Sequence, residues 1–141
     1  DILVPNETEF AFLCEHLFER VLPDEYWSRP ADEIHAHCRA TGVPTVVITL
    51  GSKGAFVSHG PDAQRHHSSL DFYPVDIADV RPVDTTGAGD TFAGYLAAAL
   101  ARDFKPSEAM ALAGRAAALK VTKKGTADAI PSLAEVEAFK S

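Results

Sequence analysis

A chain of 141 residues, 46% hydrophobic and 23% charged, has the size and composition of one ordinary globular domain, which excludes disorder and collagen-like repeats. Its formal net charge of −7 argues against a nucleic-acid-backbone binder, which needs a surplus of cations. The longest apolar run, Phe92 to Ala101, is too short to cross a bilayer.

In chain order, Ile2 to Pro5 reads as a short buried strand ended by proline. Asn6 or Thr8 can cap the helix that follows, in which Phe10, Leu13, Cys14, Leu17 and Phe18 recur at steps of three and four, with Pro23 ending it. A second helix is predicted from Ala31 to Ala40, stopped by Gly42. Thr45 to Leu50 is a strand apolar on both faces, the pattern of a strand inside a parallel sheet. Strand, helix and strand make a βαβ unit with a right-handed crossover.

After a turn at Gly51 to Gly54, Ala55 to Ser58 returns as a hairpin strand. His59 to Ser69 reads as polar loop, with a strand near Arg65 to Ser68, and Asp71 to Val75 and Asp79 to Val83 as short extended pieces. A Gly-rich loop, Asp84 to Asp90, opens an alanine-rich helix over Phe92 to Ala101. Pro106 opens another, to about Lys120, and Pro131-Ser132 starts a last short one with Leu133, Val136 and Phe139 on one side. Three alanines in a row, at 97–99 and again at 116–118, read as close helix packing. The fold class predicted is α/β, with a mostly parallel sheet and flanking helices.

Charge is uneven, and the only basic end is around Lys120, Lys123 and Lys124. Two readings stand there: a small anionic ligand, or, favoured, a solvated helix end whose lysines complement the helix dipole. Cys14 and Cys38 form no CxxC pair and no leader precedes them, so free thiols and a cytoplasmic setting are expected. Asp1 leads straight into Ile2-Leu3-Val4 without a Met, which suggests a piece of a longer chain. His35 and His37 lie on different helix faces, and they and the adjacent His66 and His67 read as surface histidines rather than metal ligands. Tyr26 and Trp27 read as packing anchors.

Three segments carry chemistry. Asp84-Thr85-Thr86-Gly87-Ala88-Gly89-Asp90 follows an extended piece and opens a helix. Its glycines let the backbone turn and align several N–H groups, and a helix N-terminus adds partial positive charge, so a phosphate or oxyanion fits. Asp90, in the first turn, can accept the proton of an attacking hydroxyl. Taken alone, this loop is equally well an ordinary Gly-rich helix entry. It is neither a Walker A loop, since Lys53 is followed by Gly54 and Ala55, nor a dinucleotide fingerprint, since Gly87, Gly89 and Gly94 have the wrong spacing. Thr49-Leu50-Gly51-Ser52-Lys53-Gly54 ends the central strand, where ligands of open α/β sheets bind, although a plain hairpin turn explains it by itself. Asn6-Glu7-Thr8-Glu9 follows the first strand, and Glu9 could hold a water on magnesium, although a helix cap is the simpler reading. Both strand ends and the Gly-rich helix entry are expected at one edge of the sheet.

Together these segments resemble a known family. Val83 to Gly94 resembles the signature of ribokinase-like sugar kinases, the phosphofructokinase B superfamily. Asn6-x-x-Glu9 resembles their metal-and-phosphate motif, Thr49 to Gly54 their nucleotide loop, and Val121 to Gly125 with Ala129-Ile130-Pro131 their C-terminal stretch. The resemblance runs through the whole chain and matches the C-terminal half of such kinases. It implies a ribokinase-like three-layer α/β/α fold and transfer of the ATP γ-phosphoryl group to a sugar hydroxyl, with ribose the leading acceptor. Other sugar or nucleoside kinases of the superfamily, or a non-catalytic nucleotide-binding remnant, are the alternatives.

By the same resemblance Asp90 is the general base, and it meets the acceptor sugar. Gly87, Ala88 and Gly89 form the anion hole. ATP is held by Thr49, Leu50, Gly51, Ser52, Lys53 and Gly54, with Asn6, Gly89 and Asp90 near its phosphates. Glu9 acts on Mg2+ through water. Asp84, Thr86 and the carbonyls of Lys120, Lys123 and Gly125 surround a K+ ion. Two positions depart from the family pattern: Ala129 stands where a side-chain oxygen often reaches that ion, and Gly114 where Asn or His covers the adenine. A homodimeric, cytoplasmic parent protein is expected, with the N-terminal sugar-binding half and lid outside this chain.

Overall fold

The computed structural model describes residues 1–63, 70–77 and 80–139. The strand expected at Arg65 to Ser68, the start of the piece at Asp79, and His66 and His67 lie outside the described residues. The length predicted one domain, and the chain forms two compact units: Asp1–Leu50 with Ala55–Pro74, and Gly51–Gly54 with Val75–Ser141.

The first unit is built on a sheet with strand order β1-β2-β3-β4, where β1 is Ile2–Leu3, β2 Thr45–Thr49, β3 Ala55–His59 and β4 Phe72–Val75. β1 pairs parallel to β2, and β2 pairs antiparallel to β3 with Val47 opposite Val57 and Ile48 opposite Phe56. The sheet is therefore mixed, because the hairpin at 51–54 reverses the chain after the βαβ crossover. The alternation of β2 sends Val46 and Ile48 to one side and Val47 to the other, and all three are fully buried.

Helices α1 (Glu7–Phe18) and α2 (Ala31–Ala40) make the crossover. Phe10 and Cys14 of α1 and Ile34 and Cys38 of α2 pack with Tyr26, Val46, Ile48 and Phe56. Burying a side chain such as Phe10 or Ile48 contributes about 1.5–3 kcal/mol. α1 stops before the predicted Pro23. Glu19 takes a left-handed conformation (φ 53°) and the Arg20 amide reaches back to the Cys14 carbonyl, a local C-cap that ends the helix without proline. Gly42 (φ 73°) ends α2 as its position predicts. Tyr26 is buried and stacks edge-on with Trp27, so both are packing anchors.

His59 is not loop: it is the last residue of β3, buried, with Nδ1 3.0 Å from Thr45 Oγ1 and Nε2 3.1 Å from the Tyr73 hydroxyl. Those two hydroxyls satisfy both ring nitrogens, which lets a polar residue end a buried strand. His35 and His37 are half-buried rather than surface groups. They do point apart, His35 to Ser58 Oγ and His37 to the Tyr26 hydroxyl. Cys14 and Cys38 are free and buried, and burial pushes the Cys38 thiol up to about 12.

The second unit is helical. It contains α3 (Ala88–Ala101), α4 (Pro106–Val121) and α5 (Leu133–Ala138). α3 packs on α4, with Phe92, Leu96 and Ala99 buried on α3 and the small side chains of Ala109, Ala113, Ala116 and Ala117 buried on α4. Of the other predicted packing alanines, Ala97 and Ala98 are exposed. Pro106 opens α4 at its first position, and Ser132 caps α5. Of the stripe predicted on α5, Val136 alone is fully buried. Among the described residues no helix is long and apolar enough to cross a membrane.

Candidate functional site

In the first unit, β1 leads into α1 through Asn6, which forms a parallel bridge with Thr49 at the end of β2. The Thr49 amide donates to the Pro5 carbonyl at 2.9 Å. Two of the predicted segments, Asn6 to Glu9 and the end of the central strand, thus meet at adjacent strand ends. Asn6 is the N-cap of α1: its Oδ1 accepts the Glu9 amide at 2.8 Å, and Glu9 Oε2 accepts the Asn6 amide at 2.8 Å. This reciprocal box uses one carboxylate oxygen. Glu9 is exposed, and its other oxygen has no partner among the described residues. One open, exposed oxygen fits an ion held through a water, the manner in which Mg2+ is commonly bound. No cluster of three or more metal-ligating side chains exists among the described residues, so such an ion would take its remaining ligands from water and phosphate. Leu50, next to Thr49, is half-buried.

Gly51 to Gly54 belongs to the second unit. Gly51, Ser52 and Lys53 form an exposed 3-10 turn closed by the Gly54 amide on the Gly51 carbonyl at 3.1 Å. Gly54 has φ 86°, and a Cβ there would lie 2.0 Å from the Val75 carbonyl oxygen, so the turn tolerates no side chain at that position. Gly51 has open space around it.

The Gly-rich segment enters α3 as expected, but the helix begins inside it. Gly87 is the N-cap in a left-handed conformation (φ 76°) with no side chain to cap the first turn. The Ala88 amide closes a turn on the Thr85 carbonyl at 3.2 Å, so this third of the expected anion hole is already paired. The amides of Gly87 and Gly89 have no partner among the described residues, and Gly89 and Asp90 are exposed. Unpaired amides at a helix N-terminus are the groups that receive an anion, so the segment fits a phosphate. Asp90 stands in the first turn beside them.

Asp84 organises the segment. Its Oδ1 accepts the Thr86 amide at 2.9 Å, and its Oδ2 accepts the Gly125 amide at 3.1 Å. Hydrogen bonds from the Thr86 side chain and amide, then from the Gly125 amide, hold this carboxyl well below its usual range, at about 2, and the Lys120 charge adds to the effect. The carboxylate thus ties the α3 entry to the turn after α4.

Lys120 overturns the expectation of a solvated basic end. It is fully buried, and its Nζ donates to the Gly125 carbonyl at 2.6 Å and lies 3.5 Å from the Asp84 carbonyl. Its stem runs beside the α3 entry, with Cε 4.0 Å from where a Cβ on Gly87 would sit. Lys123 is partly exposed and pairs with Glu135 at 3.0 Å, and its amide donates to the Lys120 carbonyl at 3.1 Å. The set Asp84, Thr86, Lys120, Lys123 and Gly125 therefore does not fit K+. The Lys120 ammonium already holds the Gly125 carbonyl and stands near the Asp84 carbonyl, so a second cation there would meet a like charge. Sequence reasoning missed this buried lysine. Its signal was position: Lys120 follows Ala113, Ala116 and Ala117 along the apolar face of α4.

An α/β chain with a Gly-rich helix entry, two unpaired amides and an exposed first-turn carboxylate offers groups that fit a phosphate. The pattern of the pfkB family carbohydrate kinases matches residues 1–133, and the chain belongs to that family. It is 36% identical to a ribokinase of Haemophilus influenzae over 99% of this chain and 40% of that protein. Among solved structures, ribokinase from Thermotoga maritima superposes with a TM-score of 0.79 and 31% identity, covering 98% of this chain and 41% of that one. Arabidopsis thaliana ribokinase complexed with ribose and ATP gives a TM-score of 0.75 at 31% identity, covering 99% and 41%. The fold is thus the ribokinase-like α/β fold, and the chain spans about 40% of the length of the relatives it matches.

Proposed function

We propose that this chain is the C-terminal, nucleotide-binding part of a sugar kinase that transfers the γ-phosphoryl group of ATP to a sugar hydroxyl, with ribose the leading acceptor. The observation that carries the reading is the α3 entry, where the unpaired Gly87 and Gly89 amides stand beside the exposed Asp90 carboxylate. Asp90 takes the proton of the attacking hydroxyl. The two amides stabilise negative charge growing on the transferred group, in a reaction governed by positioning and electrostatics. Thr49 and Leu50, with the turn Gly51, Ser52, Lys53 and Gly54, hold the nucleotide, and Asn6 lies near its phosphates. Glu9 orients a water on Mg2+, and that ion when bound neutralises phosphate charge. A homodimeric, cytoplasmic parent whose sugar-binding half lies outside this chain is part of the same proposal.

The test is ATP-dependent phosphorylation of a pentose and hexose panel by the full-length parent. Turnover on ribose that falls about 10²–10⁴-fold in Asp90→Asn, the usual worth of a general base, supports the proposal. No turnover on any sugar, nor on nucleosides added to the panel, sinks the kinase reading in favour of a nucleotide-binding remnant. Preference for another sugar sinks only the ribose assignment.

A further inference from the structure

We infer that the Lys120 ammonium is the resident cation of the α3 entry, a tethered positive charge standing where a dissociable monovalent ion would otherwise bind, so that this chain needs no K+ to shape its anion-binding loop. A buried ammonium is costly unless its donors are used and its charge is opposed. Here the carbonyls of Gly125 and Asp84 receive it, and the Asp84 carboxylate supplies the opposing charge while bonding the amides of Gly125 and Thr86. Carbonyl oxygens gathered from two separate turns around one buried positive centre make a cation site, and α4 fills it from within. Because the stem passes beside Gly87, the charge also adds to the positive potential at the start of α3.

A second cation on the same carbonyls would face the ammonium at close range, where like charges repel strongly. The site therefore excludes K+ rather than merely lacking it. Lys120 acts through the backbone it holds, which makes it a positioning residue.

The experiment reads ion binding on the whole chain without substrate, so it can fail while the kinase reading stands, and the reverse. Thermal melts are compared in KCl, NaCl and choline chloride at equal ionic strength, together with thallium-205 NMR as a probe of K+ sites. The wild-type chain should melt at one temperature in all three salts and show no saturable Tl+ signal. Lys120→Met, and independently Lys120→Gln, removes the charge and frees the carbonyls. Each should gain a K+-selective rise in melting temperature and a saturable Tl+ signal that the wild type lacks. If a variant does not fold in choline chloride, K+ should restore folding. Selective K+ stabilisation of the wild type overturns the inference. So do variants that fold without gaining K+ selectivity, or that no monovalent cation rescues.

Discussion

Two carboxylates hold the two corners where the expected site residues lie, and they do it differently. Glu9 bonds the amide of Asn6, three residues away, and Asn6 returns the bond, so that corner is a capping box complete within one turn of chain. Asp84 bonds Gly125, 41 residues away, as well as its neighbour Thr86. The first arrangement can form whenever α1 forms. The second exists only when α3 and α4 are already packed. A short-range box keeps one oxygen open for an outside partner, whereas the long-range staple spends both oxygens on structure.

The strongest way to break this contrast is Asp84→Ala. It leaves the Gly125 and Thr86 amides without their acceptor and the buried Lys120 ammonium without its opposing charge, a recognised route to large destabilisation. The expected result is a fall in melting temperature larger than that of Asn6→Ala or Thr91→Val, with rapid hydrogen exchange at the Gly125 and Thr86 amides. Unchanged protection at both amides would show that the staple does not hold the loop.

Acid sharpens the same contrast. The Asp84 carboxyl titrates at about 2 in the folded chain against an ordinary value of 3.8, so between those pH values the unfolded chain binds more protons. Its contribution is complete above about pH 4 and is lost as the pH falls toward 2. Glu135 is held at about 2 by the Ser132 amide and by Lys123, and it acts over the same range from an ordinary 4.5. Asp84→Asn and Glu135→Gln should each flatten part of the stability–pH curve below pH 4.5, and the double variant most of all. A curve unchanged in Asp84→Asn would contradict the bonded carboxylate.

The local corner should be cheaper to break. Asn6→Ala removes the acceptor of the Glu9 amide and should cost about 1 kcal/mol, the usual worth of a side-chain N-cap, in urea unfolding. A loss several times larger would mean that Asn6 does more than cap α1.

The same split between local and distant explains what the sequence could disclose. The α1 cap, narrowed to Asn6 or Thr8, the Gly42 stop and the Pro106 start of α4 each depend on a few neighbouring residues and were legible, and so was a Gly-rich entry to α3, although the helix starts at Ala88, ahead of the predicted Phe92. Strand β2 was legible from an apolar run of β-branched residues, but the burial of His59 was not, because its partners Thr45 and Tyr73 are each 14 residues away. Family resemblance grouped Asp84 with Gly125 as neighbours of an ion, and the structure joins them directly. Lys120 was misread because a lysine near a helix end usually faces water. Only its place on the alanine face of α4 argued otherwise.

The smallest expected effect concerns a hydroxyl beside the α3 entry. Thr91 follows Asp90, is 3% exposed, and its Oγ1 has no hydrogen-bond partner among the described residues. An unpaired buried hydroxyl opposes folding, and a methyl group of the same shape removes that cost. Threonine and valine are both β-branched, so helix propensity hardly enters. Thr91→Val should therefore leave stability unchanged or raise it by up to about 1 kcal/mol, measured by urea unfolding without nucleotide. A loss of more than about 1 kcal/mol would mean that the hydroxyl is bonded after all, and that the first turn of α3 is held by more than Gly87 and the helix ladder.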